Sequence, residues 1–267
     1  MLSQTDILDV AEALDNAEKS RQQIGLVSLL HPAMTLDEAY AVQRAWVTKK
    51  KEAGRKVVGW KIGLTSKAMQ HALNISTPDS GVLFDDMLFE DGGIIAADRF
   101  IQPRIEAELA FIMKAPLRGE NVSVSDVLAA TAFVVPALEI LDTRIVRTDR
   151  VSGKSRTIID TVSDNAANAG IVLGNQLFVP EQVDMRWTGA IVSRNATVEE
   201  TGLAAGVLNH PARGIAWLAN RLLQYGDYIE AGQIVLAGSF IRPVEARHGD
   251  TIHADFGPQG SVSCYFE

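Results

Sequence analysis

The chain has 267 residues, of which 47% are hydrophobic and 22% are charged, a composition typical of a globular protein that can bury a large core. Its formal net charge of -8 at pH 7 argues against a general nucleic-acid binder or a protein of anionic membrane surfaces, because both need clustered positive charge. The single cysteine, Cys264, excludes an internal disulfide. The sequence shows neither a signal-peptide pattern nor a membrane-spanning segment, so we expect a cytoplasmic protein without nucleic-acid or membrane partners.

Helical patterns occupy the N-terminal part of the chain. Apolar residues recur at helical spacing over residues 3–20, which predicts an amphipathic helix. Thr35 and Glu38 form a capping-box pattern that predicts a second helix, ending near Gly54. We interpret residues 1–55 as an N-terminal helical layer.

Short segments rich in β-branched residues, separated by Gly and Pro, dominate from residue 56 onward and predict strands. They are VVGWKIGL, GVLF, EAELAFIM, TAFVVPALEIL, NAGIVLG, RWTGAIVSR, QIVLAGSF, TIHADF and SVSCYFE. Two helices are expected between them, SDVLAA and PARGIAWLANRLLQYG. The pattern indicates an α+β fold in which a β-rich core of residues 56–267 continues from the helical layer as one domain.

Two glutamates stand out in the segment PRIEAELAF, residues 103–111. Because side chains alternate along a strand, Arg104, Glu106 and Glu108 share one face and apolar residues form the other. A third acid, Glu139, lies in the apolar run AFVVPALEIL, where an unpaired carboxylate costs roughly several kcal/mol or binds a proton. We therefore expect positive charge near Glu139.

Three carboxylates from two strands suit a hard divalent cation such as Mg2+, which prefers oxygen ligands. Zinc is disfavoured because no histidine forms a ligand-like pair with these acids in the sequence. The residues alone leave one alternative open, an ion-pair cluster with Arg104 or Arg144.

Two further segments carry polar groups beside apolar strands. Lys61, in GWKIGLTS, and Asp79, in STPDSGVLF, are either functional groups or, respectively, an ion-pair partner and a turn former. The loop SDNAANAG holds Asp164, Asn165 and Asn168 and is either a turn or a ligand-orienting loop.

Positive charge is concentrated in the segment DTRIVRTDRVSGKSRTIIDT, which is either a solvated loop or an anion-binding element. Its basic residues are Arg144, Arg147, Arg150, Lys154 and Arg156. Ser239, in VLAGSF, is either a substrate ligand or a buried strand serine.

Six motifs together resemble the hydratase/decarboxylase family of aromatic meta-cleavage pathways, and the resemblance extends along nearly the whole chain. The motifs are GWKIGLTS, TPDSGVLF, QPRIEAELAF, PALEILD, DTVSDNAANAG and GVLNHPARGIAWLANRL. The resemblance implies a mixed β-roll core of the fumarylacetoacetate hydrolase type, with peripheral helices. It also implies a Mg2+ or Mn2+ ion held by Glu106, Glu108 and Glu139, and a homo-oligomer, for which a decamer is one candidate.

The activity implied is the addition of water to C4 of an unsaturated seven-carbon 2-oxo dicarboxylate from 4-hydroxyphenylacetate degradation. Lys61 and Asp79 match the motifs at the site and are expected to form the acid–base pair, in either order. The substrate itself is expected to meet basic and polar side chains of later segments. These are Arg144, Arg156, Asp164, Asn165 and Ser239.

Several alternatives share part of this pattern. The family also implies hydration of a five-carbon 2-hydroxydienoate or decarboxylation of a 4-oxalocrotonate. A carbon–carbon bond hydrolase would need a base that activates water, for which His71 is the nearest candidate. A non-catalytic partner subunit is the option from another class. The sequence holds no nucleophile elbow, P-loop or dinucleotide-binding glycine motif.

Overall fold

The computed structural model describes residues 2–66, 70, 75 and 77–267. The helices with bounds inside the described ranges are α1 (Gln4–Ser20), α2 (Val27–Leu30), α3 (Leu36–Glu52), α4 (Val124–Ala130), α5 (Ile158–Ser163) and α6 (Ala212–Leu223). The predicted capping box opens α3, because Thr35 accepts from the Glu38 amide while Glu38 accepts from the Thr35 amide. Helix α1 begins in the same way at Ser3 and packs against α3.

The strands in the described part of the chain form two sheets. They are β1 (Val57–Gly63), β2 (Asp79–Phe84), β3 (Leu88–Phe89), β4 (Gly93–Ile95), β5 (Arg104–Met113), β6 (Thr131–Leu141), β7 (Asn168–Leu173), β8 (Gly189–Arg194), β9 (Thr197–Leu203), β10 (Ile234–Leu236), β11 (Val244–Glu245), β12 (Thr251–Asp255) and β13 (Ser261–Phe266). The larger sheet has the order β2-β1-β10-β5-β6-β7-β3, with β11 also paired to β5, and the smaller sheet has the order β4-β13-β12-β8-β9.

The larger sheet is mixed and curled. Strands β1 and β10 run parallel, whereas β5 pairs antiparallel with both β10 and β6. Strand β2 contacts β7 although four strands separate them in the sheet order. Leu83 of β2 and Ile171 of β7 accordingly belong to the same buried apolar cluster. The predicted mixed β-roll core is thus confirmed as a half-barrel.

The helical layer and the larger sheet share one hydrophobic core. Leu14 of α1 and Trp46 of α3 are buried in the same cluster as Phe84 of β2, and the rings of Trp46 and Phe84 meet edge to face with centroids 5.8 Å apart. The proposed boundary at residue 55 stays a prediction. Within the described ranges, no helix is long and apolar enough to cross a bilayer.

Some elements differ from the sequence-based expectation. Strand β9 and helix α5 were not predicted. Strand β10 ends at Leu236, so the expected strand over QIVLAGSF was too long and Ser239 lies in the following loop. The expected strand over RWTGAIVSR begins only at Gly189, after a short helical turn at Met185–Trp187. Polar turns near these ends interrupt the apolar runs, and periodicity alone does not locate such boundaries.

Candidate metal and acid-base site

The three glutamates converge on the concave face of the larger sheet. Glu106 on β5 is paired directly with Glu139 on β6, and Glu108 follows two residues later on the same face. One carboxylate oxygen from each lies within 4.8 Å of the other two. Glu108 and Glu139 are fully buried and Glu106 is half-buried.

Each buried glutamate has one anchored oxygen and one unpaired oxygen. Glu108 Oε2 accepts a 2.7 Å hydrogen bond from the Gly238 amide, and Glu139 Oε1 accepts a 2.8 Å hydrogen bond from Asn168 Nδ2. The second oxygens, Glu108 Oε1 and Glu139 Oε2, have no hydrogen-bond partner among the described residues. Buried carboxylate oxygens without donors are costly, and a hard cation with oxygen ligands satisfies them. The donor set therefore fits Mg2+ or Mn2+.

The pKa values of Glu106 and Glu108 also favour a bound cation. Burial, followed by the charge of Glu139, raises the pKa of Glu106 to about 8. Burial and the neighbouring glutamates also raise the pKa of Glu108 well above its usual range. Without a cation, Glu106 and Glu108 therefore favour their protonated forms near neutral pH, because burial and the neighbouring carboxylates disfavour their charged forms. A bound divalent ion would reverse that preference.

Lys61 joins this cluster from β1. Its Nζ lies 3.3 Å from Glu139 Oε1 and donates a 3.1 Å hydrogen bond to the carbonyl oxygen of Ala166. Burial alone would favour the neutral amine, but the carboxylates of Glu139 and Asp79 outweigh it and raise the pKa of Lys61. Lys61 therefore supplies the positive charge expected near Glu139, and it is an ammonium at neutral pH.

Asp79 lies beside Lys61 at the start of β2. It is paired with Gly63 across the strands, and its buried Oδ1 has no hydrogen-bond partner among the described residues. A Cβ at Gly63 would lie 2.2 Å from Asp79 Oδ1 and 3.0 Å from Lys61 Nζ, so only glycine leaves room for both groups. Burial is the main cause that raises the pKa of Asp79, which makes its carboxylate a better proton acceptor.

The loop before β7 is organised by a buried ion pair. Arg144 Nε contacts Asp164 Oδ1, and its Nη2 donates to the carbonyl oxygens of Asp164 and Asn168 at 2.9 and 3.0 Å. The guanidinium also lies over the Trp46 ring. Of the described residues, none places an arginine within ion-pair distance of the three glutamates. The arginine cluster that the sequence left open is therefore not what the structure shows.

Three of the predicted substrate ligands make contacts within the fold, and their contact with substrate stays a prediction. Arg144 and Asp164 use their polar groups on each other and on nearby backbone. The Asn165 side chain accepts from the Val82 amide at 2.8 Å and donates to the Val82 carbonyl at 2.9 Å. All three are engaged within the fold, which favours a role in positioning the loop that presents Ala166 and Asn168.

The two remaining predicted substrate ligands, Arg156 and Ser239, also hydrogen-bond within the protein. Arg156 is half-buried and donates to Thr161 Oγ1 from Nε and Nη2 at 3.1 and 2.9 Å. The positive charge of Arg156 partly offsets the rise in the pKa of Asp79 that burial causes. Ser239 is half-buried in a loop, where its Oγ exchanges hydrogen bonds with the backbone of Ile241. It is therefore not the buried strand serine that the sequence allowed, and its contact with substrate stays a prediction. His71, the candidate base of a hydrolase, lies outside the described residues.

Sequence reasoning missed three groups that shape the site. Asn168 was noted only as a polar residue of a loop, yet it orients Glu139. The Gly238 amide and the Ala166 carbonyl are backbone groups, and no pattern of side chains in the sequence predicts their contacts. The only sequence signal was the concentration of small and amide residues in SDNAANAG, directly before a buried strand.

Known proteins are similar to this chain over nearly its whole length. No family model matches the sequence. The 2-oxo-hept-4-ene-1,7-dioate hydratase of Escherichia coli is 56% identical over 257 residues, which cover 96% of each protein. The chain belongs to the hydratase/decarboxylase family. This membership confirms the resemblance found in the sequence motifs.

Solved structures of this family and of its wider fold agree. The 4-oxalocrotonate decarboxylase from Pseudomonas putida G7, complexed with magnesium and adipate, is 36% identical, with a TM-score of 0.94 over 100% of this chain and 99% of that one. Fumarylpyruvate hydrolase from Pseudomonas aeruginosa, in complex with Mn2+ and pyruvate, is 12% identical, with a TM-score of 0.60 over 79% and 88%. The second match shows the fold alone, and the fold expected from the resemblance is confirmed.

Proposed function

We propose that this chain is a metal-dependent hydro-lyase. It adds water to 2-oxohept-4-ene-1,7-dioate, the keto form of 2-hydroxyhepta-2,4-diene-1,7-dioate, and gives 4-hydroxy-2-oxoheptanedioate. The observation that carries the proposal is the convergence of Glu106, Glu108 and Glu139 with Lys61 and Asp79 on one concave sheet face. The 56% identity to the Escherichia coli hydratase supports the choice of substrate.

Glu106, Glu108 and Glu139 would hold Mg2+ or Mn2+. When bound, the ion supplies positive charge beside the 2-oxo acid, where negative charge develops as the substrate changes tautomer. The decarboxylase complexed with magnesium and adipate supports both a divalent cation and a dicarboxylate in this fold. Gly238 and Asn168 each donate a hydrogen bond to one oxygen of Glu108 and Glu139, respectively, which orients these carboxylates and leaves their second oxygens without a partner among the described residues.

Lys61 and Asp79 would move the protons. Hydration needs a proton delivered to the carbon chain and a proton removed from the water whose oxygen adds at C4. The raised pKa of Lys61 keeps it an ammonium, which suits the donor, and the raised pKa of Asp79 suits the acceptor. The apolar cluster below them, which includes Leu83, Ala110 and Leu236, excludes bulk water from one side of the site.

We further propose a cytoplasmic homo-oligomer that acts in 4-hydroxyphenylacetate degradation, as the family resemblance implies. The exposed apolar side chains Ile94, Val151 and Trp187 are consistent with subunit contacts. Light scattering coupled to gel filtration measures the assembly directly, and a monomer at micromolar concentration would contradict this part of the proposal.

A decarboxylase is the second candidate, since the structural match to 4-oxalocrotonate decarboxylase covers the whole chain. Purified protein is stripped with a chelator and mixed with 2-hydroxyhepta-2,4-diene-1,7-dioate, with and without added Mg2+, and the products are identified. The proposal predicts Mg2+-dependent formation of 4-hydroxy-2-oxoheptanedioate without CO2. Turnover of 4-oxalocrotonate with release of CO2, and no hydration, would establish the decarboxylase instead.

A further inference from the structure

One face of β5 carries a row of charged side chains that becomes more exposed toward its N-terminal end. Glu108 is fully buried, whereas Glu106 and then Arg104 are half-buried. Strand alternation puts the three side chains on one face, and the buried apolar cluster that includes Ala110 lies beyond Glu108. The site is therefore closed beyond Glu108 and opens toward Arg104.

Arg104 has neighbours of the same charge at this open end. Arg147 donates to Gln102 Oε1 and to the Gln102 carbonyl oxygen at 3.0 and 3.2 Å, two residues from Arg104. The Arg156 amide in turn donates to the Arg147 carbonyl oxygen at 2.9 Å. Burial, followed by the charges of Arg104 and Arg156, lowers the pKa of Arg147 to about 10, as expected for cations held close together.

These cations form no direct ion pairs among the described residues, although Asp142 and Glu245 act on Arg147 at longer range. Among the described residues, no carboxylate lies within ion-pair distance of Arg104, Arg147 or Arg156. By contrast, the similarly half-buried Arg194 pairs with Glu199 at 2.7 Å. Unpaired, partly desolvated arginines in a protein of net charge -8 indicate a place for an external anion.

Space is available for such an anion. Arg104 and Arg147 line a cleft of about 380 Å³, whose lining also includes Arg247 and the acids Glu245 and Glu267. The nearest acid in the strand register, Glu245, is paired with Arg104 across β11, but its Oε2 already accepts a 2.7 Å hydrogen bond from Arg247. The Glu245 charge is thus shared with another arginine.

The spacing along β5 suits a seven-carbon chain. Arg104 and Glu106 are two residues apart on an extended strand, a separation of about 7 Å. Six bonds join C1 to C7 of a heptanedioate, the same number as in two extended residues, which also span about 7 Å. A substrate whose 2-oxo acid end lies at the three glutamates is therefore long enough to reach the strand position of Arg104 with its other end.

We propose that Arg104 and Arg147 bind the distal carboxylate of the substrate and thereby select dicarboxylates over monocarboxylates of the same length. The inference rests on the proposed function, because it takes the glutamates as the binding place of the 2-oxo acid end. It assigns this role to the Arg104–Arg147 pair, and not to the buried Arg144, whose guanidinium is bound to Asp164.

Affinity for two saturated probes, measured by calorimetry on the Mg2+-loaded protein, tests the assignment. The probes are 2-oxoheptanedioate and 2-oxoheptanoate, which differ only in the distal carboxylate. We expect the wild-type protein to bind the dicarboxylate at least about tenfold more tightly, since charged hydrogen bonds carry that much discrimination. In Arg104→Met and Arg147→Met the ratio of the two affinities should approach one, and Arg104→Lys should restore part of it.

Arg150→Met is the matched control, because Arg150 is an exposed arginine of the same segment, and it should keep the wild-type ratio. A wild-type ratio near one, or a ratio that both Met variants leave unchanged, would overturn the inference. Because either Met variant alone suffices, one misfolded variant does not remove the test. The outcome is separable from the proposed function: a protein that prefers the dicarboxylate through these arginines but hydrates nothing refutes only the hydratase.

Discussion

Lys61 Nζ lies 3.3 Å from Glu139 Oε1, so the candidate proton donor and a candidate metal ligand share one carboxylate. The same oxygen accepts from Asn168, while the other Glu139 oxygen has no partner among the described residues. One residue thus links the ammonium and the expected cation, which keeps both positive charges at fixed places around the substrate. Substitution of Lys61, Glu139 or Asn168 should therefore affect both the proton donor and the binding of the metal ion.

Removing either proposed proton-transfer group should lower turnover while metal binding persists. Lys61→Met and Asp79→Asn are expected to reduce kcat by about a hundredfold or more, as for loss of a general acid or base. Steady-state kinetics on the dienedioate measures the loss, and Mg2+ calorimetry checks the site. Lys56→Met, an exposed lysine just before β1, serves as control. Wild-type kcat in either site variant would remove that residue from the mechanism.

Loss of one glutamate should abolish most of the Mg2+ affinity. Glu108→Gln is expected to weaken Mg2+ binding by more than about 100-fold. Replacing a residue that only hydrogen-bonds to a metal ligand already lowers metal affinity by about 10- to 100-fold, and loss of the ligand itself should cost more. Calorimetric titration measures the dissociation constant. Glu120→Gln, at an exposed position, should bind Mg2+ as the wild type does, and equal affinities in both variants would disprove the assignment.

Asn168 should affect the metal through Glu139 alone. Asn168→Ala removes the 2.8 Å hydrogen bond to Glu139 Oε1 and is expected to weaken Mg2+ binding by about ten- to a hundredfold. The exposed Asn175, which bonds to Asp91, gives the matched variant Asn175→Ala. If both alanine variants bind Mg2+ equally well, the orienting role of Asn168 is wrong.

Gly63 should be needed for activity more than for stability. In Gly63→Ala the new Cβ would meet the Asp79 carboxylate at 2.2 Å, and that side chain can rotate away without unfolding the protein. We expect kcat to fall at least about tenfold with a small change in Tm. Gly25→Ala, where a Cβ would meet nothing within 4 Å, should retain activity. Full activity in Gly63→Ala would show that the position of Asp79 does not matter.

The metal-free protein should lose stability as pH rises from 5.5 to 8. The folded state holds a proton on Glu106 up to a pKa of about 8, whereas the unfolded chain releases it near the ordinary value of 4.5. The folded state therefore binds more protons in this window, and the free energy of unfolding falls as pH rises. Lys61 keeps its proton throughout the window and adds no slope, since its pKa is raised above 10.5.

Urea unfolding in the presence of chelator measures this slope at several pH values. Glu106→Gln should reduce the slope, because the substituted amide does not titrate. Saturating Mg2+ should flatten or reverse it, since the ion replaces the protons. A free energy of unfolding that rises between pH 5.5 and 8 in the chelator-treated wild type would contradict the prediction.

Local patterns predicted much of the fold. The capping box at Thr35 and Glu38 located the start of α3, and alternation in residues 103–111 placed Glu106 and Glu108 on one face. Both signals lie within a few neighbouring residues, where backbone geometry fixes the relation between side chains. The need for positive charge near Glu139 followed from its apolar surroundings and is met by Lys61.

The contacts that the sequence could not predict join segments that are far apart in the chain. Arg144 was expected at the substrate, yet it pairs with Asp164 and lies over Trp46, and nothing near Arg144 in the chain specifies that choice. The Ala166 carbonyl that accepts from Lys61 lies in a turn where three successive residues, Asn165, Ala166 and Ala167, take left-handed backbone conformations with φ of 50, 52 and 60°. Such conformations are uncommon outside glycine and depend on the surrounding structure.

One divalent cation is expected to bind between Glu106, Glu108 and Glu139. Crystals grown with Mn2+ and measured at its absorption edge test this most directly, because anomalous scattering locates the ion independently of the protein atoms. We predict one strong peak per chain at coordination distance from an oxygen of each glutamate. A peak at another place, or carboxylates occupied by arginine side chains with no ion between them, would contradict the account.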